Sequence, residues 1–250
     1  TEEYDLDLCC KLRKGISEKS HTQKELKGFV GEELEKYRRA RSIQHELESK
    51  HRCWRLEYQD ELSFHMDIVP SIPSGSQRNL LLLNEMRQTG VDRATSQTLS
   101  DLTVLITDDR KQSFYTISDE WEISNPEGYA KWFEICMNSV TSSMFAEHLK
   151  VDTVPAYKRK TPLQRSIQLL KRHRDQMFKD YPDRKPISII VTTLAARAYQ
   201  GETNIAASLE SILARMGDFV RNKEPRVPNP VNPKEDFADR WKMPKYKDLR

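Results

Sequence analysis

Tyr4-Asp5-Leu6-Asp7-Leu8 decides how this chain is read. In an extended strand, successive side chains point to opposite faces. Tyr4, Leu6 and Leu8 then share one apolar face, while Asp5 and Asp7 share the other, about 7 Å apart along the strand. Two carboxylates side by side repel each other unless a cation lies between them. Hard oxygen donors of this kind suit Mg²⁺, which is commonly held by one or two carboxylates plus substrate phosphates. A lone Asp-x-Asp is more often only the polar face of a half-buried strand. A third carboxylate downstream changes that balance.

The third is Asp67, in Leu62-Ser63-Phe64-His65-Met66-Asp67-Ile68-Val69-Pro70. Leu62, Phe64, Met66 and Ile68 alternate with Ser63, His65 and Asp67, the period-2 pattern of a half-buried strand. If this strand neighbours the first, three carboxylates converge on one edge of a sheet. Such a trio can hold two metal ions that clamp the attacking and leaving oxygens of an in-line phosphoryl displacement. Asp67 is also suited to accept the proton of an attacking hydroxyl.

These stretches carry a resemblance. Glu3-Tyr4-Asp5-Leu6-Asp7-Leu8 followed by His65-Met66-Asp67-Ile68-Val69-Pro70 resembles the acidic core of the cyclic GMP-AMP synthase-like nucleotidyltransferases. More narrowly, it resembles the bacterial branch that makes cyclic oligonucleotide second messengers in anti-phage defence. Matching stretches continue in order: Ser124 to Phe133, Thr161 to Arg165 with Leu170 to His173, and Asn229-Pro230-Val231 with Phe237 to Trp241. In that family a Gly-Ser motif lies on a helix before the acidic strand, and the sequence begins too late to contain it.

The resemblance implies an α+β fold: a polymerase-β-like mixed sheet core, a C-terminal helical lobe, and an active site in the cleft between them. It implies a nucleotidyltransferase core over residues 1–150 and a helical lobe with an extended tail over 151–250. The implied activity is joining ribonucleoside triphosphates (ATP, with GTP, CTP or UTP as further candidates) into a cyclic di- or trinucleotide, releasing pyrophosphate. Asp5, Asp7 and Asp67 would be both catalytic residues and ligands of Mg²⁺ or Mn²⁺. Lys171 and Ser188 would contact nucleotide phosphates, although Ser188 also reads as a plain helix-start serine. The implied partner is an effector that binds the cyclic product without touching the enzyme. Two alternatives stay open: a non-cyclising enzyme acting on RNA ends, protein or a small acceptor, and an inactive nucleotide-binding relative.

Bulk properties bound these readings. The 250 residues can form one or two domains with a substantial core. A mean hydropathy of −0.76 describes a polar chain, and no apolar run is long enough to cross a membrane. The net charge of +3 is too small to argue for nucleic-acid binding. Cys9, Cys10, Cys53 and Cys136 show neither a disulfide framework nor metal-ligand spacing, which fits a reducing cytoplasm. Without a Cys/His cluster, activation by double-stranded DNA through a zinc insertion has no support.

Along the chain, Leu26, Phe29, Val30, Leu34, Tyr37, Ile43 and Leu47 recur at helical intervals and predict one helix over 24–50. Its arginines read as a solvated face. Residues 52–58 pair with the Asp67 strand through a turn at 59–61, and Pro70 and Pro73 end that strand. Helical patterning between 78 and 100 is weak. Residues 102–107 read as a strand paired with 114–117. Pro126 and Pro162 open helices, the second through a Thr161/Gln164 capping box. Leu163, Ile167, Leu170, Arg174, Met177 and Phe178 mark the inward stripe of that second helix, with Lys171 at its border. Residues 186–198 predict a buried helix and 204–220 an amphipathic one. The stretch 151–160 reads as a crossing between lobes, and 225–250 as an extended tail in which Phe237 and Trp241 dock back.

Overall fold

The computed structural model describes residues 4–59, 63–138, 160–244 and 246; at 4, 5, 59 and 63 it describes the backbone alone. The boundary expected at residue 150 and nearly all of the crossing at 151–160 lie outside these residues. The chain clusters into two compact units, Thr1–Leu81 with Ser100–Glu127, and Leu82–Leu99 with Gly128–Arg250.

A mixed six-stranded sheet organises the first unit. Its axis is β4 (Ser63–Pro73), and β1 (Tyr4–Lys11) runs parallel along one side of it. The other side of β4 is shared. β3 (Trp54–Gln59), itself paired with β2 (Glu48–Ser49), lies antiparallel against the first half. β5 (Val104–Ile106) takes the second half and carries β6 (Glu122–Ser124) outside it.

This sharing explains why the strand runs on through Pro70 and ends only at Pro73, where a break was expected. The Leu12 amide donates to the Ser71 carbonyl and the Ser74 amide to the Thr103 carbonyl. Odd residues here therefore address the β1 side and even ones the β3/β5 side. Pro70 falls between the last β3 partner, Ile68, and the first β5 partner, Ser71. Pro73 faces the β1 side after β1 has ended at Lys11↔Ser71. Each proline occupies a position where its missing N–H leaves no strand neighbour unsatisfied.

One face of the sheet is covered by α1 (Gln23–Ala40), which starts at a Thr22/Glu25 capping box. Leu56 and Ile68 of the sheet and Val30 of α1 form the core between them. Gly31 is required there, since a Cβ would come 2.4 Å from the Trp54 ring. The Trp54 indole N–H donates to the Lys27 carbonyl at 2.8 Å. The helix stops ten residues short of its expected end. Arg41 caps it, Ser42 takes a positive φ of 55°, and the Arg38 guanidinium donates to the Ile43 carbonyl at 2.7 Å. Ile43 and Leu47 still reach the same core, but from a loop. Leu6 and Leu8 remain 42% and 40% exposed, since the covering core meets this stretch at Cys10 and at Leu12, just past the end of β1.

The strand expected at 114–117 is instead a short 3₁₀ turn, Gln112–Tyr115, with Phe114 buried and Tyr115 exposed. Residues 122–124 pair with β5 in its place. The weakly patterned region holds two helices, α2 (Ser76–Gln88) and α3 (Arg93–Ser100), separated at Gly90 with φ 93°.

The second unit contains most of α4 (Pro126–Asn138), with α5 (Pro162–Met177), α6 (Ser188–Ala198) and α7 (Ile205–Arg215). Thr161 and Gln164 exchange the expected capping bonds at 3.2 and 2.9 Å. Hydrogen bonds Ser166–Ser208 (3.0 Å) and Tyr129–Thr193 (2.8 Å) join α5 to α7 and α4 to α6. Met177, expected to face inward, is the last residue of α5 and is 64% exposed. The tail folds more than expected. Val227, Val231 and Ala238 are fully buried around the hairpin β7 (Pro228–Asn229)/β8 (Asn232–Asp236), and Phe237 and Trp241 pack against Ile190 and Leu194.

Candidate active site

The face of the sheet opposite α1 carries the polar row. Parallel pairing sets Asp7 against Asp67 and Asp5 against His65. Neighbouring strands lie about 4.8 Å apart, and partner residues share a face. Asp7 and Asp67 therefore stand side by side. Asp5, two residues earlier on β1, belongs to the same face; its side chain lies outside the described residues. Asp7 is exposed, and the Asp67 side chain is 19% exposed.

From the other side of β4, Arg55 is the antiparallel partner of Asp67. Its Nε donates to Oδ1 and its Nη2 to Oδ2, both at 2.7 Å. These bonds hold the Asp67 carboxyl below the usual carboxylate range and push the Arg55 pKa further up. Glu48 extends the row opposite Arg55 and pairs with Lys50. One rung along, burial and the nearby Asp67 charge push the Cys53 thiol up to about 11. The thiol of Cys9 is 3.1 Å from the Ser71 hydroxyl.

Among the described residues no three His, Cys, Asp or Glu side chains form a ready cation cage. Asp67 spends both oxygens on Arg55, and the Asp5 carboxylate is not among those described. The donors of the row are nonetheless adjacent aspartate oxygens on the exposed side of a strand pair. This is a hard donor set that fits Mg²⁺ or Mn²⁺ and leaves room for water and phosphate ligands.

The other two residues singled out in the sequence lie in the second unit. Lys171 on α5 is half-buried, and burial, with the Arg174 charge one turn on, pushes its ammonium pKa down. Ser188 opens α6 and is exposed. Arg174 relates to both: it is buried, and its Nη1 donates to the Ser188 hydroxyl at 3.1 Å and the Pro186 carbonyl at 3.0 Å. Asp175 balances the Arg174 charge at 2.6 Å. Arg174, Lys185, Ser188, Arg240 and Tyr246 line a cavity of about 420 Å³.

Arg55 escaped the sequence reading, and Arg174 was read only as part of a buried stripe. The signal for Arg55 was its alternation with Trp54, Leu56 and Tyr58, which puts it on the aspartate face. A turn at 59–61 would have set it opposite His65. The observed pairing Gln59↔Ser63 moves it two residues, to Asp67.

A mixed sheet with an aspartate pair on one face and a helix covering the other agrees with the α+β nucleotidyltransferase fold that comparison with known proteins shows. Residues 1–70 match the family described as "Cyclic GMP-AMP synthase DncV-like, nucleotidyltransferase domain". A c-di-GMP synthase of Roseivirga ehrenbergii is 32% identical over 247 residues, covering 96% of this chain and 56% of that protein. The chain thus spans little more than half the length of this relative. The solved structure of the CD-NTase CdnG of Bradyrhizobium diazoefficiens in complex with GTP superposes with a TM-score of 0.61. It is 20% identical and covers 96% of this chain and 65% of that one. Residues 1–70 thus match a DncV-like nucleotidyltransferase domain, and the chain as a whole is similar to bacterial proteins that carry one.

Proposed function

We propose that this protein is a template-independent nucleotidyltransferase that joins ribonucleoside triphosphates into a cyclic dinucleotide. The observation that carries the reading is the register Asp7↔Asp67, which sets two carboxylates side by side on one sheet face with Asp5 on the same face. The match of residues 1–70 to the DncV-like domain and the likeness to a c-di-GMP synthase support it. The GTP in the CdnG complex supports nucleoside triphosphates as substrates.

In each step a ribose hydroxyl attacks an α-phosphate, a new P–O bond forms, and the bond to the leaving pyrophosphate breaks. Asp5, Asp7 and Asp67 would hold Mg²⁺ or Mn²⁺, which when bound neutralises charge on the reacting and leaving phosphates. Asp7 and Asp67 orient the reacting groups from a rigid strand pair, and Asp67 accepts the hydroxyl proton. Lys171 and Ser188 are read as phosphate contacts, the first as a point charge and the second as a hydroxyl donor. Positioning and charge neutralisation then supply the rate enhancement without a covalent enzyme intermediate. The biological setting we propose is anti-phage signalling in the cytoplasm, with a separate effector reading the cyclic product. No helix among the described residues is long and apolar enough to cross a membrane.

The test is product analysis. The full-length protein is incubated with each ribonucleoside triphosphate, singly and in pairs, with Mg²⁺ or Mn²⁺. A phosphatase-resistant product with the mass of a cyclic dinucleotide is expected. A phosphatase-sensitive linear product would make the enzyme non-cyclising, and no product from any mixture would remove the proposal.

A further inference from the structure

Positive charge without a counter-ion collects at the C-terminal end of α6. Arg197 stands in the last turn, nine residues beyond Ser188 and about 13 Å along the helix from it. Its Nη2 donates to the Pro228 carbonyl at 3.0 Å. Val220 packs against the Ile190, Leu194 and Val227 cluster, which brings Arg221 to the same region, and the Arg221 amide donates to the Arg226 carbonyl at 2.9 Å. All three arginines are half-buried, and among the described residues none has a carboxylate partner. The acids around them are committed elsewhere. Glu224 pairs with Lys242, Glu235 accepts from the Asn229 amide, and Asp236 accepts from the Val227 and Ala238 amides. The Tyr129 hydroxyl and the Cys136 thiol stay neutral, since burial pushes them up to about 12 and about 11. Burial, and then the Arg221 charge, pushes the Arg197 pKa down. The end of the helix dipole offsets only about half a charge.

We propose that Arg197 and Arg221, with Arg226 on the same loop, form a binding site for a phosphate group, separate from the contacts read at Lys171 and Ser188. A half-buried guanidinium that lacks a counter-charge is costly to hold, and a second beside it raises the cost. An anion entering from solvent removes both penalties at once. Two or three guanidiniums exceed the charge of a single carboxylate and match a dianionic phosphate, whose oxygens fit the planar fork in pairs. Each of the three residues keeps part of its surface open to solvent, so such an anion can reach it. An arginine that only closes a helix end needs carbonyls, not a neighbour of its own sign. The site stands independently of the reaction proposed above.

Isothermal titration calorimetry without divalent cations, at fixed ionic strength, tests this with inorganic phosphate, pyrophosphate and a cyclic dinucleotide. The full-length protein is used as wild type and as Arg221→Gln, Arg197→Gln and Lys171→Met. At least one probe is expected to bind wild type and Lys171→Met equally, and to bind both arginine variants about tenfold or more weakly. Binding confined to phosphate and pyrophosphate makes the ligand a free inorganic anion; binding of the cyclic dinucleotide as well makes it a nucleotide phosphate. Melting temperature supplies a second reading. At tenfold excess over Kd the anion should raise it by about 3–6 °C in wild type and not in Arg221→Gln. Without anion, Arg221→Gln should melt no lower than wild type; a lower value would show the Arg221 charge already balanced and count against the site. Arg221→Gln also carries the test should Arg197→Gln fail to fold. Equal affinity of every probe for wild type and both arginine variants would overturn the proposal, as would no binding beyond that of chloride. Loss of binding in Lys171→Met alone would place the anion at the nucleotide contacts and overturn it too.

Discussion

Asp67 accepts both of its hydrogen bonds from one residue, Arg55, whose Nε and Nη2 each lie 2.7 Å from a carboxylate oxygen. The pair stabilises the β3–β4 hairpin with a sign that depends on pH. The folded Asp67 pKa lies below its unfolded value of about 3.9, so the contribution is complete above that value. It is lost as pH falls through the folded pKa. Asp67→Asn is therefore expected to lower stability by about 1 kcal/mol at pH 7, the difference from wild type shrinking steadily below about pH 4. Urea melts across the pH range would read this, and a constant difference would contradict it.

The same substitution separates fold from turnover. Asp67→Asn keeps shape and removes charge, so circular dichroism should be unchanged while product formation falls by about a thousandfold or more. Unchanged product formation would remove the assigned role of Asp67.

Two glycines one turn apart on α1 should respond in opposite directions. A Cβ at Gly31 meets the Trp54 ring, and Gly31→Ala should cost about 1–3 kcal/mol. At Gly28 nothing lies within 4 Å, and Gly28→Ala should gain up to about 1 kcal/mol in helix propensity. Thermal melts of the two variants test the packing of α1 on the sheet directly.

Lys171 is charged against both burial and the neighbouring Arg174, the setting of a lysine that gains from an anionic ligand. Lys171→Met should leave melting temperature within about 2 °C of wild type and lower kcat/KM for the nucleotide about 10- to 100-fold. Unaltered kinetics would remove Lys171 from the site.

Trp241 packs with Phe237 on Ile190 and Leu194 and holds the final hairpin to the helices. Trp241→Ala should destabilise the second unit by about 2 kcal/mol and expose residues 225–244 to limited proteolysis. Protease resistance equal to wild type would show that Phe237 suffices.

What could be read in the sequence was periodic or locally capped. The alternation of Phe64, Met66 and Ile68, the Thr161/Gln164 box and the Pro126 helix start depend on neighbours a few residues away, and each appears as expected. The misreadings involve partners far along the chain. Ile43 and Leu47 kept helical spacing because they fill the same core, yet Arg38 bonding to the Ile43 carbonyl turns the chain out of the helix first. Phe114 and Ile117 looked like a strand, but the place beside β5 goes to Glu122–Ser124. The site divides in the same way. Alternation put Asp7 and Asp67 each on the polar face of its own strand, but their meeting depends on the parallel pairing of β1 with β4, and Arg55 reaches Asp67 only through a hairpin register that a two-residue shift would have changed.

The prolines of β4 have a consequence for fidelity. A strand slipped by one residue would turn Asp67 into the hydrophobic interior and send an apolar side chain toward solvent. Such a slip would also bring Pro70 or Pro73 up against a carbonyl that needs a donor, at a point where none exists. The two rings thus work as mechanical stops on the central strand, allowing one alignment and blocking its nearest competitors. Chemistry that depends on two carboxylates meeting across a strand pair is protected by residues that contribute nothing to it.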